Sequence, residues 1–239
     1  MQTPVVRYFF LLPAILSVAT LAAQLEAWQG VSFEHEVNPR YGYVLEVEYR
    51  STLEDYGRGE YLFLGGLNRK LGRKFNLTVA SRFQNGGPED PSELRLLADL
   101  NFSRKLGKTP LTFKARIRGQ RDWPLKTNAE FPTTDIRPRA GLDCKLNDRL
   151  TAFLEYEGRY QLDKRRREWT RVRYTAGLEF ELNKQLNLEL FYREEDRINN
   201  GEDSNRTDKI VGLFLGYTLP DDRERDWKYR QPFGRDLFN

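Results

Sequence analysis

Apolar and polar residues alternate with a period of two along most of the chain. In Leu150–Tyr160, Leu150, Ala152, Leu154, Tyr156, Gly158 and Tyr160 fall on one face, and Thr151, Phe153, Glu155, Glu157 and Arg159 on the other. Successive side chains of a strand point to opposite faces, so this spacing predicts a β-strand with one apolar and one charged side. The stretch from Ala140 to Glu194 holds two copies of one hairpin unit, turning at Leu146-Asn147-Asp148-Arg149 and again at Leu182-Asn183-Lys184-Gln185. Further alternating runs follow the same rule at Val44–Leu53, Tyr61–Leu67, Phe75–Gln84, Glu93–Ser103, Leu111–Gln120 and Lys209–Leu219.

Short turns begin at Val37, Leu71, Leu106, Leu146, Leu182 and Leu219, spaced by 34, 35, 40, 36 and 37 residues. Each interval holds two strands of roughly ten residues, one short turn and one longer loop, and transmembrane β-strands need about 9–11 tilted residues. That layout predicts an all-β, antiparallel, up-and-down transmembrane β-barrel with short periplasmic turns and longer extracellular loops, since closure removes the exposed edge and lipid makes closure compulsory. Counting Tyr41 to Leu219 as the barrel gives ten strands. Residues 24–40 then form a separate strand-like segment (Val31, Phe33, His35 and Val37 against Ser32, Glu34 and Glu36), and residues 220–239 a polar tail. Adding both segments would give twelve. Trp123, Trp169, Tyr160, Tyr192, Tyr43 and Phe75 sit near strand ends, where an interfacial belt places aromatics. A soluble periplasmic ligand-binding barrel, with the apolar face inward, would produce the same alternation.

Residues 1–23 read differently: Arg7, an apolar run Tyr8–Val18, then Ala19, Ala22 and Ala23, the layout of a cleaved signal peptide. The expected address is therefore the outer membrane of a Gram-negative envelope. Composition narrows the chemistry. Net charge is only +4, which argues against a nucleic-acid binder. The single cysteine, Cys144, excludes a disulfide framework or cysteine zinc cluster. The single histidine, His35, lies on the face opposite Ser32 and Glu34, so no catalytic triad is expected. Glu155 and Glu157 could pair as acid and base, but acids two apart recur in several strands and mark a lining. No enzyme activity, cofactor or metal is expected. The acidic loop Gly201–Asp203 lacks calcium-ligand spacing.

The charged faces are the candidate site. Lys114, Arg116, Arg118, Arg159, Arg171, Arg173 and Arg193, with Glu155, Glu157, Glu179, Glu181 and Glu189, are expected to line the lumen. Arg50, Arg82, Arg95, Arg139 and Lys145 join them, opposed by Glu46, Glu48, Asp99, Asp143 and Glu195. They predict a narrow porin-like channel for small polar or charged solutes, or else a structural barrel whose lumen an ion-pair network fills. The basic loop Lys164–Arg167, at an expected extracellular tip, reads as a solvated loop, or else as a phosphate contact to lipopolysaccharide or another polyanion. Outer-membrane lipid and the barrel assembly machinery are the other expected partners.

The pattern Trp28-x-x-Val31-Ser32-x-Glu34-x-x-x-Asn38, followed by Glu46-x-Glu48-Tyr49-Arg50, resembles an uncharacterised bacterial family of exported, porin-like β-barrel proteins known only as a domain of unknown function. The resemblance implies an outer-membrane barrel and no established activity. Outer-membrane barrels usually end in an aromatic-terminated strand read by the assembly machinery. Here the terminus is Leu237-Phe238-Asn239, with Phe next to last.

Overall fold

A computed structural model describes residues 25–52, 59–86, 92–125, 131–163, 166–198 and 206–219. The signal-peptide stretch, the Gly201–Asp203 loop, Lys164–Arg165 and the 220–239 tail lie outside these residues. Eleven strands form one closed barrel: β1 (Leu25–Glu36), β2 (Tyr41–Thr52), β3 (Glu60–Lys70), β4 (Phe75–Asn85), β5 (Glu93–Lys105), β6 (Leu111–Pro124), β7 (Thr133–Lys145), β8 (Leu150–Asp163), β9 (Arg166–Glu181), β10 (Leu186–Arg197) and β11 (Thr207–Thr218). Sequential strands pair antiparallel throughout. The count is neither ten nor twelve, because the segment set apart at residues 24–40 is a barrel strand. β1 closes the sheet between β2 and β11.

An odd count has a geometric consequence. In a meander every strand reverses the last, so the first and eleventh run the same way and must meet in parallel. They do, over the register Leu25↔Lys209 to Glu34↔Thr218. Either even count would have put both ends of the barrel at one mouth; the eleventh strand puts them at opposite mouths. With typical spacing and tilt, eleven strands enclose a barrel of about 11 Å backbone radius.

The five short turns gather at one mouth and the longer loops at the other. Two devices close the turns. Asn38, Asn147 and Asn183 accept backbone N–H bonds through Oδ1 two or three residues ahead, as at Arg149 N (2.8 Å) and Gln185 N (2.8 Å). Gly72 and Gly107 instead supply positive φ, 147° and 61°.

Alternation decides which side is which. The exposed face carries Val31, Leu45, Val47, Phe63, Val79, Leu96, Ile117, Leu154 and Leu213. The buried face carries most of the ionisable groups, down to Asp99 and Asp135 at 0% exposure. A soluble barrel does the reverse, turning apolar residues inward. The interior also holds two apolar clusters. Val44, Leu62, Leu64, Ala80 and Leu97 cover the β2–β5 wall; Trp28, Phe153, Phe191 and Ile210, with Phe214 against them, gather near the parallel seam. Those rings lie flat because the neighbouring strands carry glycine. A Cβ on Gly212 would sit 2.1 Å from Phe191 Cζ, and one on Gly30 would sit 2.3 Å from Phe214 Cε1.

Candidate functional site

The charged interior spans β5 to β10, and its residues come from strand parity. Odd positions of β5, β7, β8, β9 and β10 and even positions of β6 turn inward, so each strand adds a column of side chains to one wall. Adjacent columns put like charges directly opposite one another: Arg118 faces Arg137, Arg116 faces Arg139, and Arg159 faces Arg171. Such pairs repel unless each arginine is paired with a carboxylate. Here each is.

Arg118 grips Asp99 through two parallel bonds of 2.7 Å, both side chains fully enclosed. Arg95 grips Asp122 in the same way, at 2.6 and 2.8 Å. Asp122 also meets Arg159 (3.4 Å), which donates to Asp135 at 2.5 Å. Gln120 bridges onward, donating to Asp135 at 3.3 Å and accepting from Arg137 at 3.1 Å. Glu157 is the hub. It takes Arg116 on one oxygen and Arg137 and Arg173 on the other, the Arg137 Nε bond being 2.9 Å. Arg173 continues to Glu195, which also takes Arg171 at 2.6 Å. The result is one connected chain of charges across six adjacent strands. Below it, Lys114 pairs with Asp143 (2.6 Å) and Arg139 with Glu155 (3.2 Å), beside a small recess that Asn101 and Ser103 help to line.

The opposite wall is sparser. Glu48 holds Arg50 at 2.7 Å, and the Arg50 guanidinium lies 3.7 Å over the Trp28 ring. Arg193 donates to Thr175 (3.0 Å) and stands 5.1 Å from the Trp28 centroid, so cation–π contact joins the charged wall to the aromatic cluster. Glu46 is 3% exposed, and neither carboxylate oxygen has a hydrogen-bond partner.

Of the residues expected to line the lumen, Lys114, Arg116, Arg118, Glu155, Glu157, Arg159, Arg171, Arg173, Glu179, Glu189 and Arg193 are on the inward face and buried or half-buried. Glu181 is not: it has inward parity but ends β9, beyond the wall, and is exposed. Lys145 departs for the same reason and pairs with exposed Asp148 at 3.3 Å. Lys114, Arg116, Arg118, Arg171 and Arg173 are each paired with a carboxylate, Arg171 and Arg173 both with Glu195. Sequence reasoning missed Asp122, Asp135 and Arg137, all 3% exposed or less, because it ended the alternating run at Gln120 and left Asp135 and Arg137 out of the inner count. The continued alternation Arg118, Gln120, Asp122 was the available signal.

His35 faces outward against Tyr43 (5.3 Å, edge-on), while Ser32 and Glu34 are buried inside. The carboxylates of Glu155 and Glu157 are each engaged by arginine. Among the described residues no group of three or more His, Cys, Asp or Glu side chains is placed to hold a metal.

Residues 25–206 match the model of a family described as a protein of unknown function, DUF2490. No curated protein matches the chain.

Proposed function

The chain belongs to the DUF2490 family, which brings no activity with it, and from that premise we propose that it is an outer-membrane β-barrel whose lumen is closed by its own ion-pair network. The observation that carries this reading is the reversal of faces: large aliphatic side chains such as Leu154 (60% exposed) and Ile117 (58%) ring the outside, while arginines and carboxylates fill the inside. An exposed apolar band around a polar interior is stable against hydrocarbon and unfavourable in water. Strands of 11 to 16 residues are long enough for an apolar band of about 25 Å. Aromatic contacts cluster toward both mouths, Tyr49–Tyr61 and Tyr160–Trp169 at one and Phe33–Tyr217 and Phe75–Phe102 at the other, as interfacial girdles require.

The closed lumen rests on burial. Arg118, Arg193, Phe191, Asp99 and Asp135 expose less than 2% of their surface, and a water-filled pore would wet them. A narrow channel for small charged solutes is the second reading, favoured by the chain of ion pairs that runs from β5 to β10; it requires the Glu157 hub to open. On both readings the role is non-catalytic.

Cell fractionation followed by electrophoresis with and without boiling tests the location. The expected result is recovery with outer membranes and a heat-dependent mobility shift; a soluble periplasmic protein without a shift overturns it. Planar-bilayer recording then separates the two readings. A closed lumen gives no steady conductance, and stable unitary steps favour the channel.

A further inference from the structure

All five short turns repeat one chemical pattern. Each opens on an exposed aliphatic residue: Val37 (53%), Leu71 (49%), Leu106 (38%), Leu146 (55%) and Leu182 (50%). By parity each continues the outer apolar column of its strand, as Leu71 follows Leu67 and Leu146 follows Leu142. Each is followed within three residues by an exposed cation: Arg40, Arg73, Lys108, Arg149 and Lys184. The outer apolar wall therefore ends in a ring of aliphatics with a ring of positive charge immediately beyond it. Arg69, on the outer face just inside this rim, stands 5.5 Å from the Tyr41 centroid, the pairing of an aromatic with a cation at a bilayer boundary.

Acids are few there. Among the described residues Asp148 and Glu181 are exposed at this mouth, Asp148 already facing Lys145, and half-buried Glu36 is held by Lys70 at 2.6 Å. The other mouth is mixed, with Glu60, Glu168 and Asp196 near Arg121, Arg167 and Arg206. The asymmetry is not needed for solubility, which charge of either sign supplies. Nor do the turns need it, because Asn and Gly close them.

We propose that the short-turn mouth is a docking ring for anionic phospholipid headgroups, the aliphatics seating at the acyl boundary and the cations on the phosphates, so that this mouth faces the anionic phospholipid leaflet. The inference rests on the membrane reading above. An aliphatic side chain beside a cation on a turn suits this boundary, with the stem in the apolar layer and the charge at headgroup level. Each cation near an anionic surface strengthens association on the order of fivefold, an effect that salt screens within a Debye length of about 10 Å at 0.1 M.

The test folds the protein into phosphatidylcholine vesicles containing a trace of spin-labelled phosphatidylglycerol or spin-labelled phosphatidylcholine, and compares the motionally restricted fractions. Insertion is checked on the same vesicles by the heat-dependent mobility shift. The expected result is a several-fold preference for phosphatidylglycerol that falls toward unity in 1 M salt and in the variant R40Q/R73Q/K108Q/R149Q/K184Q. The control R121Q/R167Q/R206Q, at the other mouth, keeps the preference. A protein that inserts but shows no preference, or whose preference survives the five substitutions or moves with the control, overturns the ring and leaves the membrane reading standing. Failure of the unaltered protein to insert overturns both. If the five-substitution variant does not fold, the control still decides: a salt-sensitive preference that R121Q/R167Q/R206Q keeps supports the ring, and one that it abolishes overturns it.

Discussion

Leu154 supplies the sharpest test of where this barrel sits. It is 60% exposed on β8, between Leu142 of β7 and Ala176 of β9, with nothing above it but solvent or lipid. It lies four residues beyond Leu150 at the short-turn end. At about 3.3 Å per residue and a tilt near 40°, that is roughly 10 Å along the barrel axis, well inside an apolar band of about 25 Å. In water, Leu154→Arg replaces one exposed side chain by another and shifts stability by less than about 0.5 kcal/mol. In a bilayer the same substitution places a guanidinium near mid-depth and costs about 2–4 kcal/mol. Leu182→Arg, at the turn, is the depth control and costs about 0–1 kcal/mol. The assay is urea unfolding of the barrel in phosphatidylcholine vesicles, read by tryptophan fluorescence. With a slope of about 2 kcal/mol/M, Leu154→Arg lowers the midpoint by about 1–2 M. Equal, negligible shifts for both variants would refute the argument from the reversed faces.

The interior gives three further expectations. Glu157→Gln leaves Arg116, Arg137 and Arg173 sharing a neutral amide in an enclosed site, and loses about 3–5 kcal/mol in the same unfolding assay. Asp99→Leu or Arg118→Met alone strands a buried charge, whereas the pair together removes both ions and costs far less than the sum, a coupling that a double-mutant cycle measures directly. Gly212→Val drives its side chain into the Phe191 ring and costs about 1–3 kcal/mol, much of which Phe191→Ala in the same chain relieves; strict additivity would sink the close-approach argument.

Much of this was legible from alternation. The strand runs, five of the six expected turns (the sixth, after Leu219, runs outside the described residues) and most inward charges follow from a period of two and its interruptions. What alternation could not say was which face is inside, because a soluble barrel and a membrane barrel carry the same pattern with the sides exchanged. Nor did it reveal closure. Trp28–Val37 reads as a strand, but its partner is Lys209–Thr218 at the far end of the chain, and no local signal fixes a parallel seam between segments so distant. Lys145 and Glu181 have inward parity yet stand clear of the wall, since parity carries no information about where a strand ends. The extra residue that shifts the β8–β9 register at Arg159/Tyr160 brings Trp169 opposite Tyr160, a feature of pairing rather than composition. Individual ion pairs were not legible at all: the partner of an inward arginine depends on rotamers across two strands.

The parallel seam gives the barrel a mechanical character. With antiparallel closure, both ends of the chain leave at one mouth, and a pull between them opens the seam one hydrogen-bonded step at a time. Here β1 starts at the long-loop mouth and β11 finishes at the short-turn mouth, and the two are joined over ten paired positions. Tension between those ends runs along the seam, so it drags the strands past one another and stresses every backbone bond of the joint together. The seam fails in shear rather than by unzipping, which makes the junction of the first and last strands resistant to traction from either side.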